Sequence, residues 1–316
     1  MTIPSTHFFS ALKHGILPIR KAAGPTSHDL VALARKKLGL SAIGHAGTLD
    51  PFAEGLLVLL VGEATRLQDF FLHRDKIYEG TISFGIETDS GDPTGSTINE
   101  KAMAEWLPVS PETFLESCRN AVVKKFTGKI LQKPPAHSAI KIAGKRAYSL
   151  ARKGQAPEMP EREVTIHQFD LMKIEGEKVF FRVKVSSGTY IRSLARDLGE
   201  TLGIPAHLST LRRTAIGPAP SLREIDLECA TQLSPAGAAP RILPIEDFVE
   251  VKTLIDFPLA APELAPLFNG NISSLEKLFS GEGFFGVRVN GELVQIHHIE
   301  AGKRRLVYNL LSPAYR

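Results

Sequence analysis

The chain has only two cysteines, Cys118 and Cys229, among its 316 residues. They lie far apart, and neither has the spacing of a metal site or a redox pair. A reduced, cytoplasmic setting fits that usage. No stretch supplies the roughly 18 uninterrupted apolar residues of a membrane span. Residues 1–14 have no basic start followed by an apolar core, so no secretory signal is expected. Internal repeats are absent. The sharpest absence is local: residues 124–153 carry nine Lys or Arg and no Asp or Glu, in a chain with 34 acids.

What is present is ordinary in bulk. Hydrophobic residues make up 43% and charged residues 23%, the composition of a globular protein. The length allows one large domain or two unequal ones. The net charge of +4 points to an anionic partner, and its distribution says more than its size. In the acid-free segment, Gly128, Pro134, Pro135 and Gly144 make the backbone irregular. That reads as an arm that docks on phosphates, each neutralised phosphate adding salt-dependent affinity, in preference to a solvated basic loop. Tyr148 adds a surface for stacking. The expected substrate is a nucleic acid, and irregular loop-borne contacts suit folded RNA better than duplex DNA.

Hydrophobic spacing predicts a helix from Ser27 or Thr26 to Leu38, with Leu30, Val31, Ala34 and Leu38 on one face. Leu56–Val61 is a continuous apolar run and reads as a buried strand. Ile77–Gly85 alternates like a half-buried strand, with Tyr78, Ile82 and Phe84 on one side. Residues 89–95, Asp-Ser-Gly-Asp-Pro-Thr-Gly, read as a turn or flexible loop. Ser110, Pro111 and Glu112 start a second helix, in which Cys118 is a core residue. Residues 163–185 predict a hairpin, followed by a helix that Gly203 ends. Residues 234–240, with two prolines and no charge, are the best linker, and a small β domain is expected after them.

Between the first helix and the apolar strand lies Gly44-His45-Ala46-Gly47-Thr48-Leu49-Asp50-Pro51-Phe52-Ala53-Glu54-Gly55. It puts one carboxylate on a glycine-rich bend against a buried scaffold. Taken alone, Asp50 reads as a turn aspartate bonding its own backbone. A reactive carboxylate is the sharper alternative.

Together the motifs resemble the bacterial-type tRNA pseudouridine-55 synthases, the TruB family. The resemblance rests on the Asp50 block with Gly62-Glu63-Ala64-Thr65-Arg66; on Asp75-Lys76-Ile77-Tyr78; on Gln132–Lys141 through Tyr148, Ala151 and Arg152; and on residues 187–199, which include Tyr190 and Arg192. Leu208-Ser209-Thr210-Leu211-Arg212-Arg213-Thr214 is a weaker block. The blocks stand in the family's order across residues 16–217. The resemblance implies an α+β fold: a central mixed, largely antiparallel sheet flanked by helices, with a small β C-terminal PUA-like domain. It implies a catalytic domain over residues 1–240, with a basic RNA-docking insertion near 124–153, and an RNA-binding domain over 241–316.

The implied activity is cofactor-free and metal-free isomerisation of uridine 55 in the T-loop of tRNA, by base flipping and by cleavage and re-attachment at the glycosidic bond. The expected partner is the tRNA T-arm, with no membrane, and the expected state is a monomer. Asp50 is the implied catalytic carboxylate. His45, Tyr78, Tyr190, Arg192 and Leu211 are the implied substrate-binding residues, and Lys133, Lys141 and Arg152 the implied RNA contacts. Spacing adds an expectation: Tyr190 and Arg192 share a side if the chain stays extended to about Arg192, with a helix starting near Ser193. Arg192 would then pair with Asp50 and lower its pKa.

Two competing classes are an RNA-binding module without catalysis and a nucleoside hydrolase built on paired carboxylates. The intact residue set argues against the first. Against the second, the Asp50 block offers only Glu54 as a second acid. One segment departs from the family's pattern: Lys21-Ala22-Ala23-Gly24-Pro25-Thr26-Ser27 lacks its first proline and carries another after the glycine.

Overall fold

A computed structural model describes residues 14–107, 110–135, 138, 141–142, 145–146, 159–217, 225–226, 228, 230–237, 240–257 and 280–310. Among these, β1 (Gly15–Lys21) leads to helix α1 (Ser27–Leu38), β2 (Ile43–His45), β3 (Glu54–Val61) and β4 (Lys76–Phe84). Helix α2 (Pro111–Lys125) precedes β5 (Gly128–Gln132). Then come β6 (Arg162–Glu175), β7 (Lys178–Val185), α3 (Ile191–Leu202) and β8 (Ala206–Ile216). A separate sheet is built from β9 (Val251–Phe257), β10 (Gly283–Val289), β11 (Glu292–Glu300) and β12 (Lys303–Asn309).

The main sheet runs Thr231–Gln232, β1, β3, β8, β4, β7, β6, β5. The β1–β3, β8–β4, β4–β7, β7–β6 and β6–β5 pairs are antiparallel, while β3–β8 and β1 with Thr231–Gln232 are parallel. This is the mixed, largely antiparallel sheet that the sequence led one to expect. Its cause is visible in β3. Leu57, Leu59 and Val61 point into one apolar cluster, with α1, α2 and α3 residues such as Val31, Cys118 and Leu198. Leu56, Val58 and Leu60 point into another, with Phe71, Phe284, Ile296 and Tyr308. A strand covered on both faces has no use for alternation, so it reads as a continuous apolar run.

Local signals act where they stand. Thr26 caps α1 and exchanges hydrogen bonds with Asp29, and Gly39 closes the helix in a left-handed conformation. Ser110 caps α2 and Pro111 is its first residue. Cys118 is fully buried on the core face of α2. After β3, the chain forms a 3-10 turn over Gly62–Leu67 and a short helix over Gln68–Leu72.

The small sheet packs on the main one through a shared core, and the segment before it is tied down as well. Ile16 and Leu243 exchange backbone hydrogen bonds at 3.0 and 2.8 Å, and Lys37 Nζ donates to the Gly237 carbonyl. Among the described residues, no helix is long and apolar enough to cross a membrane.

At the centre of β4, Gly80 lies directly against β8. A Cβ there would fall 2.3 Å from the Thr210 carbonyl oxygen and 2.9 Å from Phe181 Cζ. Gly80→Ala therefore forces two strands apart. We expect a loss of about 1–3 kcal/mol, as for other overpacked cores, read as a lower urea midpoint with an unchanged slope.

Candidate active site

Asp50 stands on the connection between β2 and β3, and that connection is anchored at several points. The Ala53 N–H donates to the Asp50 carbonyl at 3.1 Å, and the Gly24 N–H donates to the Pro51 carbonyl at 2.8 Å. Ser27 Oγ accepts the Leu49 N–H at 3.0 Å and donates to the Leu49 carbonyl at 3.2 Å. Lys21 is buried, and its ammonium donates to the carbonyls of Pro51 at 3.0 Å, Ala53 at 2.6 Å and Ala22 at 3.1 Å. Despite its departure from the family's pattern, the Lys21–Ser27 segment thus cradles the turn. Burial is the main reason the Lys21 pKa falls to about 8, against the pull of Asp50 and Glu54.

Arg192 meets Asp50 from the other side. Its Nε lies 2.9 Å from Asp50 Oδ2, with the arginine side chain 5% exposed and the aspartate side chain 36% exposed. The same guanidinium reaches two further acceptors, Asp92 Oδ2 at 3.4 Å and the Ser90 carbonyl at 2.9 Å. Asp92 is itself buried and held. Its Oδ1 accepts from Ser90 Oγ at 2.8 Å and from the Thr94 N–H at 2.9 Å. The 89–95 segment, expected as a turn or flexible loop, carries this second carboxylate into the site. Composition hid it, because the Asp, Ser, Gly and Pro that shape the loop are the residues of any solvated turn.

The route by which Arg192 arrives differs from the expectation. Val185 ends β7, Gly188 adopts φ +81°, and Tyr190 is the extended N-cap residue. The helix begins at Ile191, so Arg192 lies in its first turn, and Tyr190 and Arg192 do not share a strand face. Gln132 sets the bend: its Nε2 donates to the Tyr190 carbonyl at 3.1 Å, and its Oε1 accepts the Tyr190 N–H at 2.8 Å. The Arg162 guanidinium lies 4.5 Å from the centre of the Tyr190 ring. Gln132 opens one of the family's blocks, yet neither it nor Arg162 reveals its partner locally, because each acts across the fold.

The remaining candidates divide. Tyr78 is buried on β4 and Leu211 on β8, both within the helix-side core. His45 ends β2, with its ring 5.3 Å from that of His28 in an edge-on arrangement. Burial above all, then the charges of His28 and Arg213, keeps the His45 pKa below its usual value. Lys133 is exposed, and its carbonyl accepts from Ser193 Oγ at 2.8 Å and from Arg196 Nη2 at 3.0 Å, which joins the start of the basic segment to α3. Lys141 lies in a two-residue strand paired with Lys145–Arg146. Arg152 and Tyr148 lie outside the described residues. No group of three or more His, Cys, Asp or Glu is placed to hold a metal among the described residues.

The electrostatics also depart from expectation. Arg192 does favour the ionised form of Asp50, but burial is the larger effect, and Asp92 adds to it. Together they raise the Asp50 pKa above the ordinary carboxylate value. The carboxyl lies deep among protein atoms, although part of its surface meets solvent. The arrangement is a reachable carboxylate on a rigid turn, oriented by a buried guanidinium that a second carboxylate holds in place.

Solved structures share this architecture. A chain of a Cbf5–Nop10–Gar1 complex aligns with a TM-score of 0.59 at 24% identity, over 95% of this chain and 84% of that one. A chain of an H/ACA RNP bound to a substrate RNA containing 2′-deoxyuridine aligns at 0.57 and 22%, with the same coverage. The fold is that of the pseudouridine synthases. Residues 35–191 match the TruB family pseudouridylate synthase N-terminal domain, and residues 192–250 match the tRNA pseudouridylate synthase B C-terminal domain. The tRNA pseudouridine synthase B of Azoarcus sp. (strain BH72) is 37% identical over 92% of this chain and 93% of its own. That of Thermobifida fusca (strain YX) is 41% identical over 74% and 78%. The chain belongs to the TruB family of pseudouridine synthases.

The charge arrangement predicts opposite shifts from two neighbours. Arg192→Gln removes the cation that favours the Asp50 carboxylate, so its pKa rises further. Asp92→Asn removes a repelling charge, so it falls. Carbon-13 NMR of the Asp50 carboxyl across a pH series reads both.

Proposed function

We propose that this chain converts uridine 55 in the T-loop of tRNA to pseudouridine, with Asp50 as the catalytic carboxylate. One observation carries the reading: Asp50 sits on an immobilised turn with Arg192 Nε at 2.9 Å, in a family of pseudouridine synthases. The similarity to relatives named tRNA pseudouridine synthase B supports tRNA as the substrate.

The reaction is an isomerisation, so nothing is gained or lost overall. The bond between the sugar C1′ and the base N1 breaks, the base turns, and C1′ rejoins at C5. The C5 proton departs and N1 takes up a proton, so no co-reactant is needed. The uridine must first leave the loop's stack, at a cost of a few kcal/mol that binding offsets. Asp50 then acts ionised, within about 3–3.5 Å of its target. It either attacks the sugar or removes a proton on a glycal route, and both roles place the same demand on the site. Arg192 favours the charged form against the opposing effect of burial and aims the carboxylate. Tyr78 and Tyr190 bring aromatic faces for the flipped base, where stacking is worth about 1–3 kcal/mol, while Leu211 supplies an apolar wall and His45 a contact to the nucleotide.

Outside the site, Lys133, Lys141 and Arg152 contact the RNA backbone as part of the basic insertion. The catalytic domain spans residues 1–240, and residues 241–316 form a small PUA-like RNA-binding domain.

The test is pseudouridine mapping of unmodified tRNA treated with the purified protein. Conversion at position 55 is expected, and Asp50→Asn should lower the single-turnover rate by more than about 1,000-fold, on the scale of losing a covalent or general-base catalyst. Free uracil as the product, binding without conversion, or full activity in Asp50→Asn would each overturn the reading.

A further inference from the structure

We infer that Arg213 is a positioning residue for catalysis: its guanidinium closes the base of the Asp50 loop and couples that loop to the strand carrying Tyr78. Resting on the function proposed above, the inference adds a residue that neither touches RNA nor pairs with Asp50. Arg213 is 1% exposed, so contact with a polymer in solution is ruled out. Its Nε donates to the Leu56 carbonyl at 2.8 Å, and its Nη2 donates to the Gly47 carbonyl at 3.1 Å. Those carbonyls flank the loop, one before Asp50 and one after it. One planar cation thus bridges both ends of the loop, and the fixed fork of an arginine suits two diverging acceptors in a way a lysine cannot.

The backbone of Arg213 contributes as well. On β8 it pairs with Tyr78 of β4 and, on its other edge, with Gly55 of β3. Gly55 adopts φ +102°, and a Cβ there would fall 2.2 Å from the Arg213 carbonyl oxygen, so the loop's exit is pressed onto this residue. Tyr78 and the two ends of the Asp50 loop are therefore referred to a single side chain and its peptide. The charge of Arg213 also reaches Lys21 and His45, lowering the pKa of each behind the larger effect of burial. A misplacement of about 1 Å at a reacting group costs on the order of 100-fold in rate, which sets the scale of the expected loss.

Arg213→Lys and Arg213→Gln are compared with wild type by circular dichroism, tRNA dissociation constant and single-turnover pseudouridine formation. In both variants we expect a folded protein with tRNA affinity within about twofold. We expect the single-turnover rate to fall by about 10- to 100-fold, less in Arg213→Lys than in Arg213→Gln. The carbon-13 titration of the Asp50 carboxyl needs no turnover, and it should move to higher pH as the loop loosens from Arg192. A wild-type rate with an unmoved titration overturns the inference. So does a parallel loss of affinity and rate, which would make Arg213 part of RNA binding. Failure of both variants to fold also overturns it, by assigning the arginine to the fold as a whole. A wild-type protein that makes no pseudouridine overturns the proposed function instead, and the carboxyl titration then decides the clamp alone.

Discussion

The contact between Arg192 and Asp50 is the constraint on which the rest of this site depends. A carboxylate on a bend between strands would ordinarily fold back onto its own backbone. Here the Leu49 and Ala53 N–H groups donate to Ser27 Oγ and to the Asp50 carbonyl, Lys21 holds the bend's carbonyls, and the Asp50 side chain is turned toward a guanidinium that is almost fully buried. Burying a guanidinium is costly unless its donors are used. Asp92 and the Ser90 carbonyl answer that demand. The 89–95 loop, α3 and the Asp50 turn are thereby tied to one charge cluster, and loosening any of them releases the others.

The same cluster explains an unusual carboxyl. Two acids and one arginine, set deep among protein atoms, leave Asp50 poised between opposing influences. Burial and Asp92 favour the protonated form, and Arg192 favours the anion. In bulk water the solvent would screen these neighbours, whereas at this depth the charge of Asp50 is supported mainly by the Arg192 guanidinium.

Much of this was legible in local patterns. The unbroken apolar run of β3 signals burial on two faces because a strand between two layers has no polar side. Thr26, Ser110 and Gly39 punctuate helices because capping is a nearest-neighbour effect. Asp50, Tyr78, Tyr190 and Arg192 stand in blocks specific enough to name the family. What local patterns do not carry is long-range. Helix α3 starts at Ile191, ahead of the expected Ser193, because Gln132, far away in sequence, satisfies both backbone groups of Tyr190. Asp92 has no local signature because a loop's composition does not reveal which of its side chains turns inward.

The sequence by itself therefore determined most of the elements, the family and the candidate carboxylate, all of which rest on interactions between near neighbours or on motifs kept in order. Only the tertiary structure decided what holds that carboxylate: the second acid, the lysine beneath the turn and the arginine spanning the loop. Each acts over tens to hundreds of residues, through a hydrogen bond or an ion pair whose existence depends on distant elements meeting in space. Burial decided the sign of the Asp50 pKa shift for the same reason, since desolvation is a property of the surrounding fold and of no single residue within it.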